Sequence, residues 1–478
     1  MIDFPPSRRA VMAGAGALAL AGCATRPSAT KASSTETPVQ NPVVLQRADA
    51  QISRHESGVY YMTASVPEYD RLILRRSPTI AGLATAEERV LWRRPATGKM
   101  GGHIWAPEVH EIDGRWYMYF AAGDAGDRFH IRTYVLQCKG PDPMTGDWEI
   151  LGQMQVPWDT FNLDSTTFVH KGQRYFLWAQ SEPTIRTNSN LYLAPLATPT
   201  TLARTPVCLS VPELPWEIQG FKVNEGAAVL ARNGRLFMTY SASATDARYC
   251  LGMLTADADA DIMDPKSWTK SQEPVFVTNE VTGVYGPGHN SFTVDEQGRD
   301  VMVYHGRDYR QITGDPLYDP NRHTRVQRIY YRADGAPDFG VPVGNGEVPD
   351  RFSPADQPGA FLRHQAGRLV VGDGDIAGSQ LRQKPGLAGA GTVSFEPILE
   401  RGKFLRRAGD GSVVVSAREE SPAFAQAASF RRVAGLSGQG VSFEAVGQEK
   451  TYLRAVGGQV SVGPVGRDER KAATFLIT

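Results

Sequence analysis

Cysteine is scarce: the chain of 478 residues has four, at Cys23, Cys138, Cys208 and Cys250, and no C-x-x-C pair. Scattered and, beyond Cys23, odd in number, they argue against a disulfide framework and a zinc site, and predict small buried hydrophobes. A surplus of either charge is lacking too. Lys plus Arg and Asp plus Glu number 51 each, which leaves no basic field to gather nucleic acid and no acidic tail. Long helical periodicity is rare, and the apolar run after Ala10 is too short to span a bilayer as a stable helix. Gly (48) and Pro (32) are plentiful, and Tyr, Trp and Phe recur through the N-terminal two thirds. That mixture predicts an all-β chain of short strands and turns, long enough for two domains.

The first residues read as an address. Ser7-Arg8-Arg9-Ala10-Val11-Met12 leads into an Ala/Gly/Leu run that ends in Leu20-Ala21-Gly22-Cys23. This is an export signal over residues 1–22. The twin arginine resembles a Tat signal, and Leu-Ala-Gly-Cys resembles a bacterial lipobox whose cysteine, Cys23, is lipidated after cleavage. A Ser/Thr/Pro/Ala tract follows and reads as a tether over residues 23–42. The expected location is periplasmic or cell-surface, or else extracellular, with membrane attachment only through that lipid.

A longer beat sets the architecture. Five segments begin with a glycine and continue as an aromatic or β-branched strand: Gly58-Val-Tyr-Tyr-Met, Gly114-Arg-Trp-Tyr-Met, Gly172-Gln-Arg-Tyr-Phe, Gly234-Arg-Leu-Phe-Met and Gly298-Arg-Asp-Val-Met. Their glycines lie 56, 58, 62 and 64 residues apart, after turns such as Asp113-Gly114 and Asn233-Gly234. Such turns close tight hairpins, so each segment is predicted as a second strand. Five units with room for four strands each imply a five-bladed β-propeller over residues 43–345.

Counting back eight or nine residues from the five glycines gives Asp49, Trp105, Asp164, Glu225 and His289. Innermost propeller strands line a central channel, so these positions are expected to share one pocket. Three carboxylates around one axis would suffer desolvation and mutual repulsion, which points to function. Glycoside hydrolysis needs one carboxyl kept protonated and one kept ionised, and three converging acids can supply both.

On these residues the chain resembles glycoside hydrolase family 43. Ala48-Asp49-Ala50-Gln51-Ile52, Ile104-Trp105-Ala106-Pro107-Glu108, Leu163-Asp164-Ser165-Thr166, Val223-Asn224-Glu225-Gly226 and Gly286-Pro287-Gly288-His289-Asn290 stand in the order of its five blade signatures. The resemblance implies Asp49 as general base, Asp164 as pKa modulator and orienting acid, Glu225 as general acid, and inversion at the sugar. Inversion implies acid and base roughly 6.5 to 9.5 Å apart. It further implies that Trp105 packs against the sugar, that Arg322 binds it, with Arg325 a rival, and that His289 lines the channel and can contact a water or a metal ion. No cofactor is otherwise required.

The stretch from Thr63 to Arg71, with the segment from His103 to Pro107, most resembles the branch that releases terminal α-L-arabinofuranose from α-1,5-arabinan. Arabinan, arabinoxylan or arabino-oligosaccharides are the implied substrates. A β-xylosidase or endo-arabinanase on the same propeller is the nearest rival. A non-catalytic glycan-binding lipoprotein would not need all three acids.

Beyond about residue 350 tryptophan vanishes and a second repeat begins. Phe361-Leu-Arg, Phe404-Leu-Arg and Tyr452-Leu-Arg are 43 and 48 residues apart, and Val393-Ser-Phe-Glu recurs as Val441-Ser-Phe-Glu. Three such units predict a β-trefoil over residues 350–478. It resembles the AbfB arabinofuranose-binding module, carbohydrate-binding module family 42. The aspartate expected in a D-A-[ST]-F-like segment is replaced in Ala427-Ala428-Ser429-Phe430 and Ala472-Ala473-Thr474-Phe475, and is missing near Gly378-Ser379-Gln380-Leu381.

Overall fold

The computed structural model describes residues 37–478. The expected export signal, Cys23 and most of the tether therefore lie outside the described residues. Five separate antiparallel sheets form a ring. Their innermost strands are Ala48–Arg54, Ile104–Ile112, Asn162–His170, Asn224–Arg232 and Tyr285–Val294. Each pairs with the strand predicted from the glycine beat: Tyr60–Ser65, Arg115–Ala122, Gln173–Gln180, Arg235–Ala242 and Asp300–Arg307. In blades 2, 3 and 4 the hairpin loops are Asp113-Gly114, Lys171-Gly172 and Asn233-Gly234, both residues at positive φ, the two-residue geometry that matches strand twist.

These second strands are almost continuously apolar because both faces of each blade are covered. Arg115–Ala122, for instance, is buried from Trp116 onward. Blades 1 and 2 pack through Tyr61, Leu72, Met118 and Phe120, and blades 2 and 3 through Tyr119, Phe176, Trp178 and Tyr192. Blades 4 and 5 meet at Phe237, Leu251, Met302 and Tyr304. The ring is closed by the N-terminal segment, which lies against the third strand of blade 5: the Val43 amide donates to Thr324 O (2.8 Å) and the Thr324 amide to Val44 O (2.9 Å). The Asn41 side chain copies a backbone group there, bonding both the amide and the carbonyl of Val326. Closure depends on a pairing of residues nearly the whole propeller apart in sequence.

Residues 350–478 form the predicted trefoil. The hairpins Phe361–Gln365 with Arg368–Gly372, Lys403–Arg407 with Val413–Ala417, and Thr451–Val456 with Gln459–Pro464 are its three repeated units. A second set joins Leu381–Pro385 to Val393–Pro397, Phe430–Ala434 to Val441–Ala445, and Phe352–Pro354 to the C-terminal Phe475–Ile477. Phe352 is therefore the first-repeat counterpart of Phe395 and Phe443, a copy the sequence pattern had not revealed. These three rings meet edge to face, with centroids 5.5, 4.9 and 5.6 Å apart. Residues 428–430 and 472–475 of the Ala-Ala-Ser-Phe and Ala-Ala-Thr-Phe segments are buried: Ser429 accepts the Ala388 amide, and Thr474 the Ser437 amide. Their recurrence thus has a packing cause. Arg382 of the trefoil is itself buried and donates to the carbonyls of Gly344 (2.9 Å), Asn345 (2.7 Å) and Glu347 (2.9 Å), which fixes the two domains together. Cys138, Cys208 and Cys250 are free thiols, two of them buried.

Candidate active site

Every innermost strand carries a β-bulge near its start, where two residues face one on the neighbouring strand. The first bulge residue has positive φ in all five blades: Asp49 (53°), Ala106 (44°), Asp164 (54°), Gly226 (56°) and His289 (42°). A bulge re-aims its side chain, and this one turns blade residues toward a common point at one end of the channel. The expected equivalence of Asp49, Trp105, Asp164, Glu225 and His289 is corrected here, since Trp105 and Glu225 sit one residue ahead of the bulge. In blade 4 the bulge residue is Gly226, where a Cβ would crowd the His289 ring at 3.0 Å, and the carboxylate comes from the preceding, longer Glu225.

The channel end gathers the expected acids around one imidazole. His289 Nδ1 lies 3.5 Å from Asp49 Oδ1 and 3.6 Å from Asp164 Oδ2. Arg322 Nη1 is 3.6 Å from Asp49 Oδ1, and its Nη2 donates to the Tyr69 hydroxyl (2.5 Å), which in turn donates to Leu317 O. Asp49, Asp164, His289 and Arg322 are all buried, whereas Glu225 keeps an edge open to solvent. Glu225 Oε1 accepts from the Tyr249 hydroxyl at 3.1 Å, and the Gly226 amide hydrogen-bonds Asp164. Arg325, the alternative to Arg322, is turned away. It pairs with Asp308 and lies against the carbonyls of Gly306 and Val343.

Electrostatics separates the three carboxyls. Burial acts to raise Asp49, but Arg322, His289 and His305 overcome it and hold the group well below the usual carboxylate range. Burial and the Asp49 charge push Glu225 up to about 7, against the opposing Tyr249 hydrogen bond and Arg322. Asp164 is driven upward by burial, then by Glu225 and Asp49. Burial lowers His289, and Arg322 is the first of the charges that hold Asp49 down.

Trp105 is buried in the wall of the site. Its ring stacks on His103 (centroids 4.8 Å apart, planes at 18°) and stands edge-on to Tyr69 at 5.8 Å, while its indole Nε1 has no hydrogen-bond partner. Tyr69, Tyr249 and His305 are site residues that sequence reasoning had not singled out. His305 Nδ1 lies 3.2 Å from both the Asp49 amide and Asp49 Oδ1, accepting from the first when neutral and donating to the second when protonated. Burial pushes its pKa down to about 4, which favours the neutral form. A signal existed for two of them: Tyr69 falls in the branch-like stretch Thr63 to Arg71, and His305 directly follows the fifth strand signal.

Among the described residues no group of three or more His, Cys, Asp or Glu side chains is placed to hold a metal ion, and His289 Nδ1 already faces two carboxylates.

Comparison with known proteins bears on the same residues. The model of glycosyl hydrolases family 43 matches residues 39–337, and that of the alpha-L-arabinofuranosidase B (ABFB) domain matches residues 377–477. The chain is 48% identical over 456 residues to alpha-L-arabinofuranosidase 43 of Humicola insolens, covering 91% of this chain and 94% of that protein. It is 49% identical over 424 residues to an extracellular exo-alpha-(1->5)-L-arabinofuranosidase of Streptomyces avermitilis, 88% of each. The crystal structure of an alpha-L-arabinofuranosidase from Lactobacillus brevis superposes with a TM-score of 0.62 at 52% identity, over 64% of this chain and 97% of that one. The propeller, its ring of bulged strands and its converging acids are thus those of a glycoside hydrolase, and the chain belongs to glycosyl hydrolases family 43, followed by an ABFB domain.

Proposed function

We propose that this enzyme releases terminal α-L-arabinofuranose from arabinan or arabino-oligosaccharides, at α-1,5 linkages, with inversion. One observation carries the assignment of roles: a carboxylate locked in its ionised form and a carboxyl with a pKa near neutrality share one channel end. Asp49 is the general base. It takes a proton from the water that attacks the anomeric carbon, and Arg322 keeps it ionised until then. Glu225 is the general acid and gives its proton to the departing glycosidic oxygen. Asp164, itself driven upward by burial and by the charges of Glu225 and Asp49, is the orienting acid, held beside Glu225 by its hydrogen bond from the Gly226 amide. His289, wedged between Asp49 and Asp164, and Trp105 border the sugar. The chemistry consists of two proton transfers and uses no cofactor.

Hydrolysis of α-1,5-arabinotriose followed by proton NMR tests this reading: free arabinose should appear first as the β anomer, alongside the shortened oligosaccharide. Glu225→Gln should lose roughly 10² to 10⁴-fold on that substrate, the usual contribution of a general acid, and far less on an activated aryl arabinofuranoside. Wild-type rates for Glu225→Gln on arabinotriose would refute the acid assignment. Retention of the anomer would refute the mechanism.

We also propose export and lipidation at Cys23, on the Ser7 to Met12 and Leu20 to Cys23 motifs. Cys23→Ala should then move the protein from the membrane pellet to the soluble fraction.

A further inference from the structure

Residues 211–223 run into blade 4 just ahead of Glu225 and are tied down by hydrogen bonds along their length. Glu217, fully buried, accepts from the amides of Glu213 and Leu214 (2.9 Å each), from the Tyr240 hydroxyl (2.8 Å) and from Asn224 Nδ2 (3.2 Å), and pairs with Lys270 at 2.7 Å. A buried ion pair of this kind contributes little net stability, because desolvation offsets the attraction. What it does contribute here is a fixed course for the loop. Gln219 is clamped on both sides, its amide by Ser243 Oγ and its carbonyl by the Ala244 amide, while Lys222 is bonded at both backbone groups by Asn188. Gly220, at φ +88°, passes so close to Ala244 that a Cβ would lie 2.8 Å from that methyl group.

For all this anchoring, the loop leaves two of its large apolar side chains uncovered. Phe221 is 56% exposed and Ile218 37%. Phe221 stands four residues before Glu225, a reach of at most about 14 Å of extended chain. The mechanism fixes what passes there. An inverting enzyme takes its water from the Asp49 face and protonates the glycosidic oxygen from the Glu225 face, so the leaving sugar departs on the Glu225 side.

We propose that this loop is the leaving-group subsite, with Phe221 and Ile218 as an apolar floor for the C–H face of the departing arabinofuranosyl residue. The inference rests on the arabinofuranosidase reading above. Rigid anchoring suits that task, since a preordered surface loses no conformational freedom when substrate arrives. The recognised chemistry is a neutral furanose ring with one apolar face, attached through its own hydroxyl to the sugar being released.

The test compares two substrates that differ only in the leaving group, α-1,5-arabinotriose and α-L-arabinofuranosyl fluoride. Phe221→Ala should lower kcat/KM on arabinotriose by about three- to tenfold, the range of one aromatic packing contact, mostly through KM. The ratio of arabinotriose to fluoride kcat/KM should fall by a similar factor, and Phe221→Tyr, which keeps the ring, should restore it. An unchanged kcat/KM on arabinotriose, or an equal fractional loss on both substrates, would overturn the inference alone. Wild-type enzyme that leaves arabinotriose intact would overturn the arabinofuranosidase reading and this inference with it.

Discussion

Replacing Tyr249 by phenylalanine isolates one determinant of the acid's pKa. The Tyr249 ring is buried and stacks on His305 with centroids 5.7 Å apart and planes at 9°, and phenylalanine keeps that packing. Only the hydroxyl is lost, and with it the 3.1 Å hydrogen bond to Glu225 Oε1. That bond favours the ionised carboxylate, so its removal raises the Glu225 pKa above its present value of about 7. A hydrogen bond to a charged group contributes about 1.5 to 3 kcal/mol in favourable geometry, and one pKa unit is 1.36 kcal/mol. Discounted for the open edge of Glu225, the shift is roughly one unit. As the proposed general acid, Glu225 acts in its protonated form, so kcat/KM should fall as pH rises through this pKa, and the basic limb of the pH profile should move up by about that amount. The assay is kcat/KM on arabinotriose between pH 4 and 10 for both proteins, with the acid limb as internal control, because Asp49 is not bonded to Tyr249. A basic limb that stays in place, or moves down, would refute the electrostatic reasoning.

Three further outcomes follow from the same structure. Glu225 is raised from 4.5 to about 7 on folding, so its contribution to stability is fully present below pH 4.5 and is lost as pH rises through 7. Glu225→Gln should therefore gain up to about 3 kcal/mol relative to wild type between pH 5 and 8, visible as a pH-dependent difference in urea midpoints. Phe395→Ala removes one ring of the trefoil's aromatic triad and should cost about 3 to 5 kcal/mol, lowering the trefoil transition in calorimetry. Because Arg322 already supplies the positive charge beside Asp49, exhaustive dialysis against EDTA should leave kcat on arabinotriose within twofold of the untreated enzyme. A tenfold loss restored by a divalent cation would contradict that.

Much of the molecule could be read along the chain because its signals are local. A two-residue Asn-Gly or Asp-Gly turn followed by an apolar strand is decided within a dozen residues, so the blade count and the three trefoil units follow from spacing alone. The short motifs around Asp49, Asp164 and Glu225 marked the acids for the same reason: a carboxylate in an apolar strand is conspicuous without a partner. The off-by-one registration of Trp105 and Glu225 was not visible, since a bulge changes which face a residue points to without changing its neighbours in sequence. What crowds a side chain at Gly226 is the His289 ring, 63 residues away.

The sequence by itself determined the strands and the two repeat architectures and singled out the three candidate acids, all consequences of backbone propensity and hydrophobic patterning over short distances. Tertiary structure alone decided which cations face Asp49, why Glu225 rather than Asp164 has the open edge, and that His305, Tyr69 and Tyr249 complete the site. Those outcomes depend on burial and on distances of 3 to 4 Å, between blades for His289, Arg322 and Asp49 and within blade 4 for Tyr249 and Glu225. Charge interactions are set by separation in space, which closure of the ring fixes and the order of residues does not.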